Sequence, residues 1–205
     1  MMYRFLCTAL TALVLSGQGR ADVTVRGELV LVDGKPFVAR GAAGERRLDL
    51  LKQLGATAVR TYGEETGAVL AEAERLGLKV VAGFWLEHPR RGFNYNDPAQ
   101  VAAQNAALER FVRAYKDHPA LLLWGLGNEV EAELADDAVV WPAIEAAAQL
   151  VKSIDPAHPT MAVIAETGND KVGKVMRQAP SIDVLGVNSY GPALPSVADR
   201  AREAG

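Results

Sequence analysis

Six short apolar runs, at residues 37–42, 57–62, 78–84, 121–126, 160–165 and 184–188, alternate with segments whose apolar residues recur every three or four positions. Each run has the length of a strand, and the segments 46–54, 65–76, 98–116, 142–154, 171–178 and 196–204 have the period of amphipathic helices. A strand that is apolar nearly throughout must be covered on both faces. A helix after every strand supplies that cover, so the order predicts a parallel sheet flanked by helices. The segment ends agree. Asp97-Pro98 offers a capping oxygen before a proline whose missing N–H costs nothing in the first turn, with Gln100 placed to return a bond to the cap. Gly55 and Gly77 stand where helices need a left-handed residue to stop, Trp141-Pro142 opens a helix, and Asp155-Pro156 closes it. Ahead of the repeat, residues 23–32 alternate loosely and Asp33-Gly34 supplies a turn, which predicts a short hairpin or edge segment leading into the first strand.

A repeated strand-helix unit builds either an open doubly wound sheet or a closed (β/α)8 TIM-type barrel. The doubly wound dinucleotide folds carry a G-x-G-x-x-G turn after the first strand, and Gly41-Ala-Ala-Gly44 does not satisfy it. A barrel instead gathers polar side chains at the C-terminal ends of many strands. They are present here: Arg60 and Tyr62, Trp85 with Glu87 and His88, Asn128 and Glu129, Glu166, and Asn188 with Tyr190. The expected fold is therefore α/β, a barrel. Its six units run to about 28 residues each, against about 250 residues for a complete barrel, so about six of the eight units are expected.

The N-terminus has a separate character. Arg4 precedes an almost unbroken apolar stretch at 5–15, and residues 16–21 are small and polar, which reads as a secretory signal over 1–21 cleaved after Ala21. Cys7, the lone cysteine, falls within it. Removing Arg4 and Arg20 leaves 20 basic residues against 25 acidic, a formal charge of −5. No second apolar stretch of spanning length follows, so the expected product, residues 22–205, is exported to the periplasm or medium without membrane insertion. With 22 lysines and arginines against 25 acids in the whole chain and no basic run, nothing tracks a nucleic-acid backbone. His88, His118 and His158 lie far apart, each before a proline, and predict no metal site; no cofactor is expected.

The most specific motif is LLLWGLGNE at 121–129, a buried strand ending in two glycines and then an amide beside a carboxylic acid. Here the chain resembles the barrel glycosidases of clan A, in which an Asn-Glu pair closes the fourth strand. The resemblance extends to GKPF at 34–37, AVRTY at 58–62 and GVNSY at 186–190, and is greatest to the catalytic barrel of glycoside hydrolase family 2 and related β-glucan-acting enzymes. It implies a retaining hydrolase or transglycosidase acting on a β-linked oligo- or polysaccharide. Glu129 would be the general acid and base, Asn128 would bond the sugar 2-hydroxyl, and Arg60 and Tyr190 would orient and polarise the nucleophile. Asn188, Trp85 and Glu87, the last two with His88, are candidate sugar contacts, indole faces being suited to pyranose rings; Trp124 reads as core.

The chemistry supports those roles independently. A glycosidic oxygen is a poor leaving group near neutral pH, so a protonated carboxyl lowers the barrier. An amide on the 2-hydroxyl can strengthen its bond as oxocarbenium character develops. Retention needs a second carboxylate about 5–5.5 Å from the first. The resemblance puts it after a seventh strand, beyond the sixth helix that reaches Gly205, while Glu166 reads as a rim or subsite carboxylate. Two rival readings remain: a non-catalytic carbohydrate-binding or scaffold protein on a degenerate barrel, and an exported α/β binding protein of the doubly wound class.

Overall fold

The computed structural model describes residues 19–134 and 136–204, so the expected signal lies outside it except for residues 19–21. The chain opens with an antiparallel meander: β1 (Val23–Arg26), β2 (Leu29–Val32) and β3 (Lys35–Phe37). Six strands then pair in parallel, in chain order: β4 (Gly41–Ala43), β5 (Ala58–Arg60), β6 (Lys79–Phe84), β7 (Leu121–Leu126), β8 (Thr160–Ala165) and β9 (Val184–Asn188). The intervening helices are α1 (Leu48–Gln53), α2 (Thr66–Leu76), α3 (Pro98–Tyr115), α4 (Val140–Ile154) and α5 (Lys171–Gln178), and α6 (Val197–Ala204) follows β9. A doubly wound sheet reverses its strand order at a switch point. This sheet never reverses, so it is the wall of a partial barrel.

The predicted strand at 37–42 is in fact two elements. Phe37 pairs with Val30 and completes the meander, whereas Gly41 opens the barrel beside Ala58. A Cβ at Gly41 would stand 1.7 Å from the Ala58 carbonyl oxygen, so only glycine admits this pairing.

Two apolar layers hold the sheet. Outside it, Leu70, Leu108, Trp124, Leu126, Trp141 and Ile164 pack between strands and helices. Inside, Val81, Leu123, Met161 and Val163 meet Ala21, Val23, Val30, Val32 and Phe37, so the meander plugs the lower, N-terminal end of the barrel. A register shift between Val80 and Val81 skips Leu122, and Leu122 therefore joins Leu123 in the inner layer. Strand β7 is buried throughout, the residues of β9 are half-buried and those of β4 exposed. The sheet is thus most enclosed at its middle, where the Asn-Glu motif ends β7.

Helix ends follow the sequence logic. The Asp97 carboxylate accepts the Ala99 N–H at 2.9 Å, but Gln100 bonds the cap's other side-chain oxygen instead of its backbone. Helix α2 stops at Gly77 in the left-handed region, φ 63°. Below the barrel, fully buried Asp155 accepts from Trp124 Nε1 at 2.9 Å and the Ala157 N–H at 3.2 Å, and bonds His158 Nδ1 at 2.7 Å. Arg20 Nη1 lies 3.5 Å from the same carboxylate. Burial alone would raise the Asp155 pKa, but His158, Trp124 and the Ala157 N–H together hold it below the usual aspartate value. No helix among the described residues is long and apolar enough to cross a membrane.

Candidate active site

The upper rim is built by the strand ends that carry polar residues. At the end of β7, the Gly127 N–H donates to the Phe84 carbonyl at 2.9 Å and the Glu129 N–H to the Val163 carbonyl at 2.8 Å, so the chain stays tied to both neighbouring strands past the last paired residue. Gly127 has φ 72°, and a Cβ there would stand 2.5 Å from Val130 Cγ2. Glu129 is itself left-handed, φ 52°, an unusual backbone for a glutamate.

From β9, Asn188 Nδ2 donates to Glu129 Oε1 at 2.6 Å and lies 3.2 Å from Asn128 Oδ1. From β5, Arg60 Nη2 donates to the Gly127 carbonyl at 3.1 Å, and its guanidinium lies 4.9 Å above the Tyr62 ring. Burial lowers the Arg60 pKa, opposed by the charges of Tyr62 and Glu129, and its Nε is buried without a partner among the described residues. An arginine remains charged under such conditions. Arg60, Asn128, Glu129 and Asn188 therefore converge from three strands on one point.

The loop carrying Glu129 is stapled to β8 by a residue the sequence did not single out. Buried Glu131 accepts the Ala165 N–H at 2.8 Å and pairs with Lys171 Nζ at 3.0 Å; Lys171 also donates to the Ala165 carbonyl. An acid between buried Val130 and Ala132 is the only local hint. Lys171 gives none, because it reads as an ordinary first-turn helix residue.

Glu166, at the end of β8, is also left-handed, φ 56°. It accepts from the Ser189 hydroxyl and, at 2.7 Å, from Arg200 Nη1. Ser189 first and Arg200 second pull its pKa below the usual glutamate value. Arg200 reaches on to Thr167, Ser189 and the Ala193 carbonyl, locking α6 to the rim.

The remaining candidates stand apart from the convergence. Tyr190 is 73% exposed. Glu87 is exposed, its backbone held by Gln104 and Tyr95. Trp85 is half-buried, stacked on His88 at 4.9 Å with Arg91 5.3 Å over the indole. His88 is fully buried, both ring nitrogens lacking partners among the described residues; burial, Arg90 and Arg91 lower its pKa, against the Glu129 charge.

Sequential parallel strands with polar side chains gathered at their C-terminal ends define a TIM-barrel protein. The family model for the TIM-barrel domain of glycosyl hydrolases family 2 matches residues 43–193. The chain belongs to that family. Beta-glucuronidases of Felis catus and Homo sapiens are 29% and 28% identical over 195 residues, each match covering 84% of this chain and 28% of the relative. A probable mannan endo-1,4-beta-mannosidase A of Aspergillus oryzae is 27% identical over 144 residues, covering 63% of this chain and 32% of its own. Among solved structures, a beta-glucuronidase of an uncultured Clostridium sp. superposes with a TM-score of 0.71 at 18% identity, covering 89% of this chain and 36% of that one. The beta-D-glucuronidase of Dictyoglomus thermophilum gives 0.69 at 18%, covering 89% and 37%. The structural matches show the fold. The chain spans roughly a third or less of the length of these curated relatives.

Proposed function

We propose that the chain contributes six units to an exported, periplasmic or secreted, retaining glycosidase or transglycosidase acting on a β-linked glycan. The observation that carries this reading is the Asn188 amide, which meets Glu129 Oε1 at 2.6 Å and Asn128 Oδ1 at 3.2 Å beside Arg60. One amide thereby fixes both the acid and the group facing the sugar 2-hydroxyl.

In the first step a carboxylate attacks the anomeric carbon while Glu129 gives its proton to the departing glycosidic oxygen. In the second, Glu129 takes a proton from water, or from an acceptor hydroxyl in transfer, as that oxygen displaces the carboxylate. The attacking carboxylate belongs to residues outside these six units. Glu166 is ill suited to attack, because Ser189 and Arg200 occupy its oxygens. Arg60 would keep the attacking group ionised.

In the active form of the protein, Glu129→Gln should lower turnover of alkyl glycosides about 10²–10⁴-fold and that of dinitrophenyl glycosides far less, since an acidic leaving group needs no proton. Equal losses on both substrates would rule out the acid role. The Glu166 clamp favours one second reading, a glycan-binding barrel without turnover. Calorimetric binding of an oligosaccharide by the 205-residue chain with no product formed would select it.

A further inference from the structure

Beside the Glu129 cluster, the loops after β4, β5 and β6 enclose a cleft of about 630 Å³, within the size range of small-molecule sites. Its walls carry Tyr62 and Trp85, with Glu45, Glu64, Glu87 and Arg91 around them. Phe84 and Phe111, 5.5 Å apart, complete the aromatic lining. The cleft adjoins the candidate active site through Tyr62. Arg60 lies over the Tyr62 ring at 4.9 Å, and Tyr62 meets Trp85 edge-on at 6.4 Å. Tyr62 keeps 38% of its surface exposed, and Trp85 is half-buried.

The charge balance of this cleft is negative. Its three carboxylates form no ion pair and no side-chain hydrogen bond among the described residues, and two guanidiniums stand against them, Arg91 on the indole and Arg60 at the edge over Tyr62. Aromatic walls suit the C–H faces of a pyranose ring. Free carboxylates accept hydroxyl hydrogen bonds and attract an ammonium group, whereas a uronate would meet an excess of like charge.

We infer that this cleft is a glycan subsite that takes a neutral or, preferentially, an amino-bearing pyranose and turns away a uronic acid. The inference rests on the glycan-acting reading and narrows its substrate class; the relatives named above as beta-glucuronidases would differ from this chain at that point.

The test is a fluorescence titration of the Glu129→Gln chain, which requires no turnover. Trp124 and Trp141 are buried, so Trp85 reports the cleft. The probes are the β-1,4-linked glucosamine disaccharide, cellobiose and cellobiouronic acid, at a mildly acidic pH that keeps the amines protonated. The amino probe should bind about five-fold tighter than cellobiose, and the uronate about five-fold weaker. Adding salt should compress both ratios. A Glu64→Gln, Glu87→Gln double variant alters only exposed side chains and should bring the three affinities together, while Trp85→Ala should abolish the fluorescence response. Binding of the uronate as tight as that of cellobiose, affinities unmoved by the double variant, or no binding of any probe would overturn the inference. Binding retained in a protein that never hydrolyses glycosides would defeat the catalytic proposal and leave the subsite standing.

Discussion

The two ends of the barrel solve opposite problems. At the lower end Asp155 is completely buried, yet each of its oxygens has a donor, and the meander closes the interior with Val23, Val30 and Phe37. At the upper end Arg60 Nε, both nitrogens of His88 and Glu131 Oε2 are buried without partners among the described residues. Of seven non-glycine residues with positive φ among the described residues, five (Glu129, Glu133, Glu166, Asn169 and Asp170) lie in the loops after β7 and β8. Strain and unsatisfied polar groups are more numerous where polar side chains converge, although His158 Nε2 at the lower end is also buried without a partner among the described residues. The fold thus separates the end that stores stability from the end that spends it on a site.

The largest test of that division is Asp155→Ala. It strands Trp124 Nε1 and His158 in a buried setting and should cost about 3–5 kcal/mol in urea denaturation. Asn188→Ala, its upper-end counterpart, should cost about 1.5 kcal/mol or less; equal losses would erase the distinction. Acid probes the same division. The Asp155 pKa is lowered on folding, so its contribution is present above about pH 4, the unfolded value, and disappears as pH falls through the folded value. The His88 pKa is also lowered, so stability declines once pH drops below about 6.5. Hydrogen exchange should therefore show the upper loops loosening at a higher pH than the β7–β8 base.

Gly127→Ala is intermediate. It sets a Cβ against Val130 in a left-handed backbone, and the melting temperature should fall in line with about 1–3 kcal/mol. The smallest effect belongs to neither end. Arg113, paired with Glu109 at 2.8 Å on the exposed face of α3, should lose no more than about 0.5 kcal/mol on replacement by alanine, and a larger loss would show that the helical layer also stores stability.

Much of this architecture was legible in the chain. The limits of β7, β8, β9 and α5 match the apolar and amphipathic segments: β7 and β8 are buried on both faces, and α5 buries Val172 and Val175 while exposing Met176, Arg177 and Gln178. The first strand was misjudged: residues 37–42 were read as one apolar run across Arg40, whereas Phe37 belongs to the meander and Gly41 to the barrel. The convergence of Arg60, Asn128, Glu129 and Asn188 could be anticipated because every parallel strand delivers its last residues to one rim. The Glu131–Lys171 staple and the Arg200 clamp could not, since each joins residues more than thirty positions apart through geometry that no local pattern encodes.

The backbone at Glu129 has an evolutionary consequence. Glycine enters the left-handed region freely, while a glutamate held there costs about 1 kcal/mol. A single-base change converts a glutamate codon to glycine. The mutation that would silence the proposed acid would thus also relax its backbone, a gain that offsets the lost Asn188 bond and leaves the cleft in place. Selection on this backbone alone would favour glycine, so under the proposed mechanism the glutamate is kept for the reaction, and a sugar-binding descendant lies one substitution away.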